Sequence, residues 1–183
     1  YTSDNGFLCG SHGYGSKVLP YEEASRVPLI IFDPRPGRQV PGTRSRALTG
    51  NIDFAPTILE LAGERVPANM DGKSLVPLLK KPKGQVREFL SLINVWGPKS
   101  VQSLSVVSGD YKYVFWGYGE GAFEPTEELY HLAADPLELT NEASNLDHQN
   151  ALQRMRGAYD RSLADWKNQA VPYHNYQPYG ILF

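Results

Sequence analysis

Gln102-Ser103-Leu104-Ser105-Val106-Val107, then Ser108-Gly109-Asp110, then Tyr111-Lys112-Tyr113-Val114-Phe115-Trp116 is the stretch on which the fold turns. Two runs rich in β-branched and aromatic residues flank a short turn containing Gly109-Asp110, which reads as two adjacent antiparallel strands. Phe89 to Trp96 before them and Glu127 to Leu132 after them have the same character. Gly97-Pro98 and Gly117 to Pro125 supply the remaining turn signals. Spacing this short predicts a four-stranded antiparallel meander. A long helix follows, roughly Asp147 to Asn168, with Leu152, Met155, Tyr159, Leu163 and Trp166 on one stripe at steps of three and four. One helix laid across one face of the sheet buries both apolar surfaces.

Upstream the pattern changes. Val27-Pro28-Leu29-Ile30-Ile31-Phe32 is short, continuous and apolar, and reads as a strand buried on both faces, as in a parallel or mixed sheet. Asn51 to Ala62 reads as a helix with Asn51 as its cap, Pro56 near the first turn and Gly63 as its stop. Leu75 to Leu79 is a short apolar segment, and Lys80-Lys81-Pro82-Lys83-Gly84 reads as a boundary. The expected class is therefore α/β over residues 1–83, followed by an α+β subdomain over residues 84–183. Arg35, Arg38, Arg44 and Arg46 lie in an acid-free stretch read as a solvated loop. The tail from Val171 to Phe183 has four aromatics and no Asp, Glu, Lys or Arg, so it is expected to pack on the body or on a partner.

Composition excludes several classes of function. The chain has 183 residues, 18 Lys and Arg against 20 Asp and Glu, and a formal net charge of −2. That balance gives no electrostatic case for nucleic acid. No apolar run approaches the roughly 20 residues of a membrane span. A single cysteine, Cys9, rules out an internal disulfide and a cysteine-rich zinc site.

Chemistry gathers near the beginning of the chain. Asp4-Asn5-Gly6 is followed by Gly10-Ser11-His12-Gly13 and Lys17. Carboxylate and amide oxygens suit a hard divalent cation such as calcium or magnesium. A lysine ammonium suits a tetrahedral anion, and a histidine can donate to that anion or protonate a leaving group. Metal, lysine and histidine around one anion describe a site that cleaves sulfate or phosphate esters. An Asp-Asn-Gly triplet alone is usually no more than a turn.

The wider string resembles the second half of the type I sulfatases, members of the alkaline phosphatase superfamily. It runs from Thr2-Ser3-Asp4-Asn5-Gly6 through Gly10-Ser11-His12-Gly13 and Lys17 to Tyr21-Glu22-Glu23-Ala24-Ser25-Arg26-Val27-Pro28-Leu29-Ile30. Asn51 to Gly63 and Met70-Asp71-Gly72-Lys73-Ser74-Leu75 continue it. Asp110-Tyr111-Lys112-Tyr113, Glu128 to Leu132 and Asp135-Pro136-Leu137-Glu138-Leu139-Thr140-Asn141-Glu142 look like the family's C-terminal strand pair and following turn. The resemblance implies that residues 1–83 supply a late part of an alkaline-phosphatase-like sheet with its helices, that Asp4 and Asn5 ligate calcium, that Lys17 binds sulfate oxygens, and that His12 lies near the substrate pocket.

Ser11 stands where the family has an acid, and Val18 where an arginine is common. The formylglycine motif C/S-x-P/A-x-R is absent: Cys9 is followed by Gly10, Ser11, His12 and Gly13, so Cys9 is not the nucleophile and is expected to be a buried thiol. The formylglycine and the other metal ligands are expected outside this chain, in a missing N-terminal half. The reading is thus a sulfatase fragment without turnover of its own. Phosphoesterase or phosphonate monoester hydrolase parentage, or a non-catalytic unit binding an anion, a glycan or a partner, are the alternatives. Sulfate esters of glycans, aryl alcohols or choline all fit. A periplasmic or secreted location is implied by the resemblance, and self-association through the open edge beside Val27 to Phe32 is expected.

Overall fold

The computed structural model describes residues 1–35, 37 and 40–168; the expected packing of the tail from Val171 and the place of Arg38 lie outside them. Two short strands, β1 (Leu8–Cys9) and β2 (Gly15–Ser16), form a hairpin, followed by one helical turn, α1 (Glu22–Ser25). Next come α2 (Phe54–Ala62) and α3 (Val76–Lys80). The strands β3 (Leu90–Asn94), β4 (Ser103–Val107), β5 (Tyr111–Trp116) and β6 (Thr126–His131) form a sheet in that order, and α4 (Gln149–Asn168) ends the described chain. The meander and its helix are therefore as the sequence implies. None of the described helices is long and apolar enough to cross a membrane.

The chain divides into two compact units: residues 1–4 with 28–90, and residues 5–27 with 91–168 of the described chain. This partition differs from the linear boundary near residue 84, because residues 5–27 pack with the later sheet.

In the first unit, α2 begins from a 3-10 turn, Asn51–Asp53, and stops at Gly63, whose φ of 81° is the left-handed geometry a glycine accepts without strain. Asn51 is not the expected cap. Its side chain instead donates to the carbonyls of Ser3 and Asp4, at 3.3 and 2.9 Å. Asp53, fully buried, does the capping by accepting from the Gly50 N–H at 2.9 Å. It also accepts the Lys73 N–H at 2.8 Å and both terminal nitrogens of Arg87. Gly72 must be glycine here, because a Cβ would sit 1.8 Å from the Ile52 carbonyl oxygen. The run Val27 to Phe32 is not a doubly buried strand. It is extended chain with one bridge, Leu29 to Thr2, and Ile30 and Phe32 stand 62% and 75% exposed. A buried central strand needs a ladder on each side, and the described residues supply one bridge. Of the arginine stretch, Arg44 and Arg46 are exposed as expected, while Arg35 grips Asp33 with Nε and Nη2 at 2.8 and 2.7 Å.

In the second unit, the two faces of the sheet are covered by different segments. Period-two alternation puts Tyr113 and Phe115 of β5 on one face, where both meet the ring of Tyr159 edge-on, at 5.4 and 5.9 Å between centroids. On that face α4 buries Leu152, Met155, Ala158 and Tyr159, while Leu163 and Trp166 are half-buried. The opposite face of β5 carries Lys112, Val114 and Trp116. Segment 5–27 lies there, with Leu8, Leu19, Tyr21, Ala24 and Tyr130 forming a core against which Trp116 packs. The outer edge of β6 is closed by the Asp135–Glu142 turn. Asn141 accepts the Leu129 N–H at 3.0 Å and donates to the Glu127 carbonyl at 3.0 Å, satisfying groups that an edge strand leaves open.

Candidate functional site

The hairpin β1–β2 is what presents the chemistry-bearing residues. Leu8 is fully buried and anchors it, and Gly6 lies so close to α1 that a Cβ would meet the Glu23 carbonyl oxygen at 1.9 Å. The Gly6 N–H donates to the Ala24 carbonyl at 2.9 Å. Between the strands the chain turns through Gly10, His12 and Gly13 with φ of 107°, 55° and 75°. The two glycines take that geometry freely; His12 takes it at a cost of about 1 kcal/mol or more. Its imidazole lies flat on the Tyr21 ring, with centroids 3.9 Å apart and planes within 9°.

Lys17 follows directly and is exposed. Asn5 is half-buried and donates to the Gly6 carbonyl at 2.7 Å. Asn5, His12 and Lys17 thus belong to one segment of the second unit, and Asp4 to the first. The Asp4 carboxylate accepts from Ser3 Oγ at 3.3 Å. Cys9 is exposed, contrary to the expected buried thiol: β1 alternates, so burying Leu8 turns Cys9 outward.

Asp4 and Asn5 offer oxygens of the kind a hard cation takes, but calcium uses six to eight. Among the described residues no three His, Cys, Asp or Glu side chains gather to hold a metal ion. The donor chemistry of these two residues suits part of such a shell and does not complete one.

The residues that fix this segment were in the sequence motifs without an assigned role. Lys112 is completely buried, and its Nζ lies 2.8 Å from Glu138, 2.9 Å from Glu22 and 2.8 Å from the Pro20 carbonyl. Glu138 in turn accepts the Glu22 backbone N–H at 2.5 Å. Burial pushes the Glu138 carboxyl up, while the adjoining Lys112 ammonium pulls it down, leaving it above the usual carboxylate range. One ammonium therefore binds together three stretches that the sequence sets far apart: α1, β5 and the turn after β6. Tyr21, next to Glu22, is 6% exposed and donates to Glu128 at 3.4 Å. Burial, and then the Glu128 carboxylate, push its hydroxyl well above the usual range, so it stays protonated. The only signal in the sequence was a lysine set among aromatics in a strand otherwise made to be buried.

Comparison with known proteins agrees with this architecture. Residues 10–177 match the family model described as "N-sulphoglucosamine sulphohydrolase, C-terminal". Asp4 and Asn5 precede that range. Arylsulfatase K of Xenopus laevis is 31% identical over 186 residues, covering 96% of this chain and 33% of the relative. N-acetylglucosamine-6-O-sulfatase of Bacteroides thetaiotaomicron is 48% identical over 80 residues, covering 44% of this chain and 14% of the relative. The solved structure of BT4656 in complex with its substrate D-glucosamine-2-N,6-O-disulfate superposes with a TM-score of 0.77 at 28% identity, covering 96% of this chain and 35% of that one. The chain spans about a third of the length of relatives matched along nearly all of it. It belongs to the N-sulphoglucosamine sulphohydrolase C-terminal family, and is the C-terminal part of a sulfatase of the alkaline phosphatase-like superfamily.

Proposed function

We propose that this chain is the C-terminal part of a calcium-dependent enzyme that hydrolyses sulfate esters on an amino sugar. In this reading Lys17 neutralises charge on the sulfate as it is transferred, and His12 stands beside the leaving oxygen. Asp4 and Asn5 hold one side of the calcium ion, and the formylglycine nucleophile comes from the rest of the protein. The observation that carries the reading is the hairpin of residues 8–16. It is anchored by buried Leu8 and by the stack of His12 on Tyr21, and it carries His12 in its turn, with exposed Lys17 following β2. The amino-sugar substrate is supported by the 48% identity over 80 residues to a relative named N-acetylglucosamine-6-O-sulfatase and by the superposition on a sulfatase bound to a glucosamine disulfate. A periplasmic or secreted location fits such a substrate.

Full-length protein tested against D-glucosamine 6-sulfate, 4-nitrophenyl sulfate, choline sulfate and a phenylphosphonate monoester decides among the readings. The expected result is fastest turnover of the amino-sugar sulfate, lost on removal of calcium. Preference for the phosphonate ester, or no turnover with any of them, contradicts it. The phosphonate monoester hydrolase of Silicibacter pomeroyi shares the fold, with a TM-score of 0.65 at 24% identity, and at that distance carries no further argument.

A further inference from the structure

The geometry points to Tyr21 as the positioning residue for His12, an assignment that rests on the proposed role of His12 at the sulfate. Four observations converge. His12 occupies the left-handed region at φ 55°, ψ 16°, which a non-glycine residue holds only when its surroundings over-determine it. Its imidazole is stacked on Tyr21 at 3.9 Å and 9°, closer and more parallel than the other described ring pairs in the chain. Tyr21 itself cannot drift: it is 6% exposed, meets Tyr130 edge-on at 6.1 Å, and donates to Glu128. The next residue, Glu22, is fixed through its backbone N–H by Glu138 and through its carboxylate by Lys112.

A flat stack covers one face of the imidazole and leaves its edge, which carries both nitrogens, for a ligand. The buried sheet face thereby sets the plane in which His12 can donate or accept. Exposed hairpin tips ordinarily lose side-chain order, and here the ring is held by a platform that belongs to the core. Tyr21 touches no substrate in this scheme; it acts through His12. What the stack supplies is a fixed orientation at the reacting oxygen, where misplacement by about 1 Å can cost two orders of magnitude.

A double-mutant cycle in the full-length protein, with D-glucosamine 6-sulfate as substrate, tests this. His12→Ala is expected to lower kcat at least tenfold, and Tyr21→Leu at least fivefold with KM changed less than twofold. Tyr21→Phe keeps the stacked ring and restores kcat to within threefold of the parent. In the His12→Ala background, Tyr21→Leu costs less than twofold more, because its effect has already been removed. Equal losses from Tyr21→Leu in both backgrounds, or a Tyr21→Leu enzyme at the parent rate, would overturn the positioning role. Normal kinetics in His12→Ala overturns the assignment of His12 itself, and with it this one. Should Tyr21→Leu fail to fold, NMR of the unmutated protein still decides. The ring protons of His12 are expected upfield of their free positions by the Tyr21 ring current, and unshifted signals contradict the stack.

Discussion

Lys112 of β5 lies 2.8 Å from Glu138, although its side chain is on the sheet face that composition alone would reserve for apolar groups. The pair is completely buried, with Glu22 at 2.9 Å as a second partner. Removing one member of such a pair is worse than never having had it, because the other charge is left without a partner or water. Lys112→Met is expected to cost about 3–5 kcal/mol in chemical denaturation. The double variant Lys112→Met/Glu138→Gln is expected to recover part of that loss. Additive losses would show that the two side chains do not act as a pair.

Asp53 makes a second buried pair, and its pH dependence has a definite sign. Burial pushes its carboxyl up, but the Arg87 hydrogen bonds and the N–H groups of Lys73 and Gly50 outweigh burial, so the folded value lies below the ordinary one. A carboxyl depressed on folding contributes stability that is present above its unfolded value, about 4, and is lost as pH falls through the folded one. Stability measured between pH 7 and pH 2 should fall below pH about 4. Asp53→Asn should flatten that fall and cost about 3 kcal/mol at pH 7. An unchanged acid slope in Asp53→Asn would assign the loss to other carboxyls.

Two tyrosines on the α4 face offer a controlled comparison. The Tyr113 hydroxyl donates to Glu127 at 2.9 Å, whereas the buried Tyr159 hydroxyl has no hydrogen-bond partner among the described residues. Tyr113→Phe should cost about 1 kcal/mol. Tyr159→Phe should be neutral within about 0.5 kcal/mol, or stabilising, because it removes a desolvated polar group and keeps the ring. Thermal unfolding of both variants checks the contrast, and a larger loss at Tyr159 would reverse it.

The second sheet was legible because its signals are local. Tyr111 to Trp116 is rich in aromatic residues, turns flank it, and the stripe on α4 has its own period of three and four. The cover on the other face was not legible. The Glu22 to Glu138 hydrogen bond spans 116 positions and that of Lys112 to Pro20 spans 92, and no periodicity announces a contact at such range. Asn51 misled for the same reason: the residue type favours a cap, and its side chain reaches carbonyls 47 and 48 positions away. Val27 to Phe32 misled differently, since an apolar run reports that burial is favourable and not which strand supplies it. Asp4, Asn5, His12 and Lys17 came from motif order, and of these the hairpin carries His12 in its turn.

Calcium binding by this chain alone should be weak. Asp4 and Asn5 provide side-chain oxygens, yet the described residues gather no third acidic or imidazole ligand around them. Ordering a loop around two ligands costs conformational entropy that so few contacts do not offset. Calorimetric titration of the 183-residue chain is expected to show no submicromolar site. Submicromolar binding that Asp4→Ala abolishes would mean the chain completes the shell with groups other than those named.

The central claim is that Lys17 meets the sulfate group being transferred, and one kinetic measurement bears on it most directly. Lys17→Ala in the full-length protein, with D-glucosamine 6-sulfate as substrate, removes the positive charge proposed to lie beside that group. Because Lys17 is exposed, folding should be untouched, with an unfolding temperature equal to the parent's. The account predicts turnover lowered at least tenfold, about 1.4 kcal/mol of barrier. Parent-like kcat and KM in a folded Lys17→Ala protein would contradict it.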